Sequence, residues 1–564
     1  MACECQLVNL SRQIICSRFL IAAICLFSSM QLSAQTTAGQ ILQTLPKAST
    51  STLGLKPQAN LPPERPSLSS LEGPQLLVKE FRITGAKTFS DDVLLNLVSE
   101  GEKKFQTLGE LQNFADRITK YYRRSGSLLA RAYLPEQDVS EGIIEIAVIE
   151  GQIGRINLDN SSRLEPKIVG SYLQSLSQNK RALSNEIEKS LLLLNDIPGV
   201  AVKSTLKSGQ EPAKTDLDIS ITDAQTVQIK VELDNFGNRT TGKDRIGALF
   251  SISNMSGYGD QLTTRAMKSS RMTYGLISSQ VPISGNGLVL GANLSEMQYQ
   301  LGNEFANLMA NGNAKTGSVW LSLPLIRRQQ QNWYVQLSRE YKYLLDFKGA
   351  IESVSDRTIE SNSIGLMGNY VDEWWGVTQA NTTFSLGRLR LDAMSAAVDI
   401  SNDGIRTSGA FNKFSYFFQR QQRITPSLTL STKIVGQFAS KNLDASEKLA
   451  IGGPQAVRAY GPEDAYGDDG LVASIEVIHT PHSFPESQFF VFLDAAQINI
   501  AHTPPAGSLS ASNKRRLSGR GIGFRSGLSN DLSLVASVAQ PISNETSATN
   551  AKNIRAWFQL FQYF

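Results

Sequence analysis

Residues of the types that carry out catalysis or bind metals are scarce in this chain of 564 residues. It has only three histidines, and all four cysteines lie within the first 25 residues. His479 and His482 have the H-x-x-H spacing of a zinc-binding pair, but Pro481 lies between them and no carboxylate accompanies them in a helical frame. His502 is distant from both in the sequence. The sequence therefore predicts no metal site, no cofactor and no enzymatic activity.

The common nucleotide-binding patterns are absent or out of context. The stretch GRGIGF at 519–524 mimics a glycine-rich phosphate loop, but it lies in an alternating strand segment with no βαβ unit around it. The pattern G-x-x-x-x-G-K-[ST] does not occur. No ATP site is therefore expected.

One arginine lies in an unusual sequence context. Arg458 is part of GGPQAVRAYGPEDAYGDDG at 452–470, where Gly, Pro and Asp indicate a long loop. Loops of this length are lids, binding loops or solvated tips. Whether Arg458 binds anything depends on the elements around it.

Composition limits the classes of partner and the ways to cross a membrane. Lys and Arg total 55 and Asp and Glu total 51, so the net charge is only +4, and no dense basic run is present. These values do not favour nucleic-acid binding. No segment reaches the roughly 18 consecutive apolar residues of a transmembrane helix. If the chain enters a membrane, a closed barrel is the remaining solution.

The first 74 residues are predicted to be a leader, a short helix and a linker. Arg12 and Arg18 precede the apolar run FLIAAICLF, and small and polar residues follow it, which predicts a signal peptide at 1–34. All the cysteines lie in this leader, so no disulfide is expected. Within 35–74, TAGQILQTL predicts about two helical turns, and the rest is a Pro- and Ser-rich linker.

Residues 75–151 are predicted to form an α/β unit. The segment LLVKEFRITG alternates and predicts a strand with Leu77, Phe81 and Ile83 on one face. Two further strands, SLLARAYLP and GIIEIAVIEG, close the unit. The same order of strand, helices and two strands recurs in 152–224, so the two units form a short tandem array.

A helix is predicted between the first and second strands of the first unit. Thr107 with Glu110 makes a capping box at its start. Its apolar stripe is predicted to consist of Leu108, Leu111, Ala115, Ile118 and Tyr122.

Residues 225–564 are predicted to form a transmembrane antiparallel β-barrel, with 16 strands as the expected number. About sixteen alternating segments of roughly ten residues are separated by turn residues, which suits strands that cross a bilayer. All five tryptophans lie in this region, and the last predicted strand ends on Phe564. A soluble sandwich or propeller also alternates and is the alternative.

Taken together, these segments resemble the outer-membrane transporters of two-partner secretion, the haemolysin secretion/activation family (TpsB type). FRITGAKTFSDDVL and YYRRSGSLLARAYLPEQDVSEGIIEIAVIEGQI look like a polypeptide-transport-associated (POTRA) domain of that family. LLLLNDIPGVAVKSTLKSG matches a second such domain, and LDNFGNRTTGKDRIGALFSISNMSGYGDQL is similar to the first barrel hairpin. The resemblance covers almost the whole mature chain. It implies two POTRA domains followed by the barrel.

The resemblance also implies a role for Arg458. In this family an inward-folded loop, here around 450–470, carries a Val-Arg-Gly-Tyr motif whose arginine meets the aspartate of a Phe-x-Asp-x-Gly strand motif. The matching loop residues are Val457, Arg458, Ala459 and Tyr460, and the matching strand residues are Phe492, Asp494 and Ala496.

The alternation in FFVFLDAAQ places Asp494 opposite an apolar face, so Asp494 is expected to face the lumen, where a charge is less costly than in lipid. Ala459 and Ala496 replace family glycines. Ordinary backbone angles are expected at Ala459, because a left-handed alanine costs roughly 1–2 kcal/mol. Lumen water is expected to screen the Arg458–Asp494 pair.

The function implied is a protein-conducting pore in the outer membrane, with its POTRA domains in the periplasm. The resemblance implies these partners: a large secreted exoprotein of haemolysin, adhesin or toxin type with an N-terminal secretion domain, outer-membrane lipid, and the barrel-assembly machinery that reads Phe564. Nucleic acid is not expected, and the transporter is expected to be monomeric. An assembly factor that inserts other barrels is the main alternative; a diffusion porin or receptor-type transporter would leave the two POTRA-like units unexplained. Whether the helix at 36–45 plugs the pore stays open.

Overall fold

The computed structural model describes most of the chain beyond the leader. The described ranges are 36–46, 75–125, 130–150, 152–178, 184–210, 214–401, 404–505, 513–528, 531–543 and 554–564. The predicted signal peptide (1–34) and most of the predicted linker (47–74) lie outside them.

The first unit is a small α/β fold preceded in the chain by a short helix, α1 (Ala38–Gln43). Its three-stranded sheet packs against two helices, and a separate two-stranded sheet lies beside it. The elements are β1 (Leu76–Val78), β2 (Glu80–Thr84), α2 (Asp91–Asn96), β3 (Lys104–Gln106), α3 (Leu108–Arg124), β4 (Arg131–Tyr133) and β5 (Ile143–Ile149). The sheet order is β2-β5-β4, with β2 parallel to β5 and β4 antiparallel to it, and β1 pairs with β3.

Two side chains of this unit lie elsewhere than the periodicity predicted. Leu77 is 40% exposed, because the chain breaks at Lys79 into two strands, and Val78 rather than Leu77 faces the core. Leu108 is 57% exposed, because it is the first residue of α3 and precedes the turn that meets the sheet. The capping box of Thr107 and Glu110 is present as predicted.

The second unit repeats this topology. Its elements are β6 (Gln152–Asn160), α4 (Pro166–Gln178), α5 (Ser184–Asn195), β7 (Val200–Ser208) and β8 (Lys214–Asp223). The sheet order is β6-β8-β7, with β6 parallel to β8 and β7 antiparallel to it. The apolar faces of α4 and α5 cover one side of the sheet.

The rest of the chain is a closed barrel of sixteen antiparallel strands. Before the long inward loop, its strands are β9 (Val227–Asp234), β10 (Arg245–Ser253), β11 (Gln261–Lys268), β12 (Met272–Pro282), β13 (Val289–Gln300), β14 (Ala310–Arg327), β15 (Gln331–Lys348), β16 (Ser353–Val371), β17 (Gly376–Leu391), β18 (Gly409–Thr425) and β19 (Leu428–Ala439). A short helix, α6 (Ala393–Asp399), lies between β17 and β18.

The loop at 440–468 leads into the last five strands. It contains two very short strands, β20 (Leu449–Ala450) and β21 (Tyr466–Gly467), which pair with each other. The last five barrel strands are β22 (Asp469–His479), β23 (Ser487–Asn499), β24 (Lys514–Gly527), β25 (Leu532–Pro541) and β26 (Arg555–Tyr563). β26 pairs with β9 and closes the barrel. The predicted fold class is confirmed, and no helix of the described residues is long and apolar enough to cross a bilayer.

The second unit is docked against the turns at one mouth of the barrel. Arg327, at the end of β14, makes two hydrogen bonds of 2.7 and 2.8 Å to the carboxylate of Asp196, just after α5. The backbone N–H of Glu165 donates to the carbonyl of Gly257 at 2.9 Å. Gly257 has φ +84°, a conformation that favours glycine, and it allows this close approach. These turns therefore lie at the mouth of the barrel to which the second unit is docked.

Candidate functional site in the barrel lumen

Arg458 and Asp494 meet inside the barrel. Asp494 faces inward from β23, and the loop between β19 and β22 brings Arg458 to it. The Arg458 guanidinium donates from Nε to Asp494 Oδ2 at 2.8 Å and from Nη2 to Oδ1 at 2.7 Å, a bidentate pair. The backbone N–H of Arg458 donates to Oδ2 as well, at 3.1 Å. One carboxylate therefore holds both the side chain and the backbone of the loop tip.

Other inward-facing groups complete the surroundings of Arg458. Its Nη1 donates to Glu476 on β22 at 2.5 Å, and its Nη2 donates to Ser474 at 3.0 Å. Its guanidinium carbon lies 3.4 Å from the ring centroid of Phe492, a cation–π contact. Trp557 on β26 donates its indole N–H to the Arg458 carbonyl at 2.7 Å. The loop tip is therefore tied to several strands.

Burial of the pair differs from the expectation of a screened contact. Arg458 is 8% exposed and Asp494 is 2% exposed. The loop fills this part of the lumen and excludes the water that would have weakened the interaction. Breaking a buried pair by removing one partner costs roughly 3–5 kcal/mol, whereas exposed pairs contribute about 0–1 kcal/mol.

The neighbouring motif residues pack the loop against apolar side chains of the barrel wall. Val457 and Tyr460 are buried, and they pack with Phe492, Ala496 and other inward residues of the last strands. The Tyr460 hydroxyl lies 2.8 Å from Ser543 Oγ. Ala496 is buried in the same cluster.

Ala459 has no left-handed backbone: it is not among the described residues with positive φ. Its methyl group lies over Gly519 on β24, where an added Cβ would be 2.5 Å from Ala459 Cβ. Gly519 is the β24 partner of Asp494. The methyl group of Ala459 therefore occupies the space beside Gly519, next to Asp494, which binds Arg458.

Gly519→Ala is expected to displace the loop, because two methyl groups cannot occupy this space, and so to reduce strongly the secretion that the family resemblance implies. Adding Ala459→Gly to the same chain should restore secretion, because it removes the second methyl. Secreted exoprotein, normalised to folded barrel, is the measurement. Wild-type secretion by the Gly519→Ala variant, or no rescue in the double variant, would contradict this packing. Gly275→Ala is a suitable control, because no atom lies within 4 Å of a Cβ added there.

Phe564 lies at the seam where the barrel closes. Its backbone N–H donates to the Ile229 carbonyl at 2.9 Å, and its side chain is exposed. It takes no part in the lumen site. Its role as an assembly signal stays a prediction.

Helix α1 lies inside the lumen. Ala38 and Ile41 are buried among inward-facing apolar side chains of the barrel. The N–H of Ala38 donates to Asp346 at 3.0 Å, and Gln43 donates to the Ala445 carbonyl at 2.9 Å. A Cβ on Gly39 would lie 2.6 Å from the Ser446 nitrogen, so the helix fits closely against the long loop.

Buried charges surround this helix. Arg357 bonds to Asp346 and, at 2.8 Å, to Asp444 of the loop. Glu447 of the loop accepts from Lys342 at 2.6 Å and also from Lys413. The segment 444–447 is thus bound to the barrel wall and also contacts α1. The same loop therefore carries both the surface on which α1 packs and Arg458.

An open cavity remains in the lumen beside the end of the helix. Its volume is about 1040 Å³, and it is lined by residues 42–46, by segments of the loop and by the barrel wall. The wall is mixed: Ser, Thr, Asn and Gln form its largest group, and charged side chains such as Lys230, Glu232 and Arg265 and several aromatic and aliphatic side chains complete it. Within the described part of the chain, no group of His, Cys, Asp and Glu side chains is arranged to hold a metal.

Comparison with known families decides which barrel this is. The model of the haemolysin secretion/activation protein ShlB/FhaC/HecB matches residues 213–526, more than half of the chain. The chain belongs to this haemolysin secretion/activation family. A model of the ShlB-type POTRA domain matches residues 76–151, the first unit. The protein is thus an outer-membrane β-barrel transporter of the two-partner secretion class, with periplasmic POTRA domains.

Individual relatives from this secretion family align with most of the length of this chain. The heme/hemopexin transporter protein HuxB of Haemophilus influenzae is 27% identical over 481 residues, 84% of each chain. The outer membrane transporter CdiB of Dickeya dadantii is 22% identical over 71% of this chain and 72% of its own. The structure of CdiB from Escherichia coli superposes with a TM-score of 0.68 at 19% identity, covering 90% of this chain and 93% of that one, which shows a shared fold.

Sequence reasoning named Arg458 and Asp494 but missed several of their partners. Glu476 carried a usable signal, since a charged residue in the apolar strand LVASIEVIH must face inward for the same reason as Asp494. Trp557 and the charges around α1 carried none, because their contacts depend on how distant strands are placed around the barrel.

Proposed function

We propose that this transporter captures an unfolded exoprotein with its periplasmic POTRA domains and passes it through the lumen to the cell surface without hydrolysing ATP. The observation that carries the proposal is that segments of the same chain obstruct the lumen of the barrel. Its lumen is partly occupied by two segments of the same chain, helix α1 and the loop that carries Arg458. Both are held by side-chain contacts that movement can break, so both can yield to a passing chain.

The POTRA domains offer surfaces for capture. Each three-stranded sheet has two edge strands, β2 and β4 in the first domain and β6 and β7 in the second. An extended segment of the client can add to such an edge, with backbone hydrogen bonds for affinity and side-chain pockets for selection. Leu77 and Phe105, partners across β1 and β3, add exposed apolar area to the first domain. These features support recognition of the N-terminal region of an exoprotein.

The lumen wall suits an unfolded polypeptide. A chain in transit presents backbone donors and acceptors along its whole length, and each needs a polar partner or water. The Ser, Thr, Asn, Gln and charged side chains of the wall supply such partners. Folding of the client outside the cell then gives the transport its direction.

The proposed client is a large secreted protein of haemolysin, adhesin or toxin type with an N-terminal secretion domain. Family membership supports this class. The named relatives are a heme/hemopexin transporter and CdiB proteins, and they do not select one client for this chain.

Barrel assembly is the alternative function. The structure of BamA from Haemophilus ducreyi lacking POTRA domains 1–3 superposes with a TM-score of 0.52 at 15% identity, over 86% of this chain. That likeness concerns the fold alone. An assembly factor would change the amounts of other outer-membrane barrels, whereas a secretion pore would change one exoprotein.

The proposal is tested by secretion in a Gram-negative host that lacks a related transporter. The full chain, expressed with a candidate large exoprotein that carries an N-terminal secretion domain, is expected to release that protein to the surface or medium. Deleting residues 75–151 is expected to abolish release while the barrel remains folded and heat-modifiable, because capture is lost. Release without the first POTRA domain would reduce the protein to a plain pore, and altered levels of other barrels would favour the assembly function.

A further inference from the structure

The outer face of strand β24 carries an arginine in an unusual position. Residues facing the lumen alternate with residues facing outward along β24, and Arg520 faces outward with Ile522 and Phe524. Arg520 lies near the middle of the strand. It has no hydrogen bond or ion pair to any residue of the described chain. A charged side chain on the lipid face of a barrel is unfavourable unless a polar group meets it.

Two other outward arginines of this barrel have such a partner, whereas Arg388 on β17 has no hydrogen bond or ion pair to the described residues. Arg339 and Arg390 both face outward and both bond to Glu360, at 3.5 and 2.8 Å. No carboxylate takes that place beside Arg520. Two further basic residues, Arg516 and Lys514, continue the outward face of β24 away from the POTRA end, and Arg516 donates to Gln497 at 2.9 Å.

Arg520 stands at one end of an apolar groove on the outside of the barrel. The groove has a volume of about 550 Å³. One row of register partners across β23, β24 and β25 is apolar: Val491, Ile522 and Val538. The next row, further from the POTRA end, is Leu493, Arg520 and Gln540. The remaining outward apolar side chains of the groove are Ile475, Val477 and Ile554.

We propose that this groove binds a phosphorylated lipid of the outer leaflet, with an acyl chain along the apolar row and a phosphate at Arg520 and Arg516. The outward face of an outer-membrane barrel is in contact with lipid, so an acyl chain is the natural occupant of an apolar groove there. The unpaired guanidinium requires an anion, and its planar donors fit a phosphate. The row order places the anion on the side away from the periplasmic POTRA domains, which is the outer leaflet.

The lipid would lie against β23, whose inward face binds Arg458 through Asp494. Val491 and Leu493 face the groove, while Phe492 and Asp494, on the same strand, face the loop. The inference does not depend on the proposed secretion function, because it concerns the outer face of the barrel alone.

Native mass spectrometry of the full-length protein in detergent tests the proposal, with diphosphoryl lipid A as the probe. The wild-type protein is expected to retain one lipid A, and Arg520→Gln is expected to weaken its binding by about tenfold. Arg390→Gln is the matched control and should bind as the wild type does. Val491→Trp keeps Arg520 but fills the groove, and it should also lose the lipid.

Two further probes separate the lipid from a simple anion. Lipid A without its phosphates should bind weakly, and inorganic phosphate should not displace the intact lipid. Equal binding by Arg520→Gln and Arg390→Gln, or displacement by inorganic phosphate alone, would overturn the proposal. Heat-modifiable migration of each variant on gels establishes that the barrel is folded, so that a loss of binding is not a loss of structure.

Discussion

Arg458→Ala is expected to reduce exoprotein secretion by about tenfold or more, without reducing the amount of folded barrel. The substitution removes both guanidinium bonds to Asp494, the bond to Glu476 and the contact with Phe492. It leaves the buried carboxylate of Asp494 without its cation, whereas Glu476 keeps its bond to Arg525. The loop around residue 458 should therefore detach from the barrel wall. The barrel itself should stay closed, because backbone hydrogen bonds hold its strands together.

A double-mutant cycle makes this prediction specific. Asp494→Ala alone should reduce secretion as strongly as Arg458→Ala, and the double variant should be little worse than either, because each single change already removes the shared interaction. Arg390→Ala breaks an arginine–carboxylate pair on the outside of the barrel and should leave secretion near the wild-type level. Additive losses, or wild-type secretion by Arg458→Ala, would show that the pair does not hold the loop in its working position.

Removing residues 36–46 is expected to open the barrel to ions. Helix α1 fills the lumen where Ala38, Ile41 and Leu45 pack against the wall, and nothing else in the described chain occupies that position. The variant should show larger and longer openings than the wild type in planar lipid bilayers. The shortened chain keeps every barrel strand, so its barrel should fold normally.

The control for this variant removes an equal length of the linker, residues 47–57. It shortens the connection to the POTRA domains but leaves α1, and its conductance should remain near that of the wild type. Wild-type conductance without residues 36–46 would show that the inward loop alone closes the pore, and that the helix is not a plug.

Alternation along the strands explains why part of the lumen site could be predicted. A barrel strand in lipid has one apolar and one polar face, so Asp494 could be placed inside from its neighbours alone. The same reasoning applied to β22 would have found Glu476. Leu77 and Leu108 were misplaced in the first POTRA domain because a strand break at Lys79 and a helix start at Leu108 interrupt the period.

The site around α1 could not be predicted from the sequence. Arg357, Asp346 and Asp444 come together only because the barrel closes with a particular register and the loop returns inside it. Alternation gives the face of each residue but not its height relative to a strand many positions away. The burial of the Arg458 pair has the same origin, since it depends on how completely the loop fills the lumen.

Reconstituted translocation tests the central claim most directly. The purified full-length transporter is placed in liposomes, and the unfolded exoprotein that it secretes in cells is added on the POTRA side, with no nucleotide present. We expect the exoprotein to become protected from added protease, the Arg458→Ala transporter to give little protection, and liposomes without transporter to give none. Failure of the wild-type transporter to protect the exoprotein, or protection that requires ATP, would contradict it.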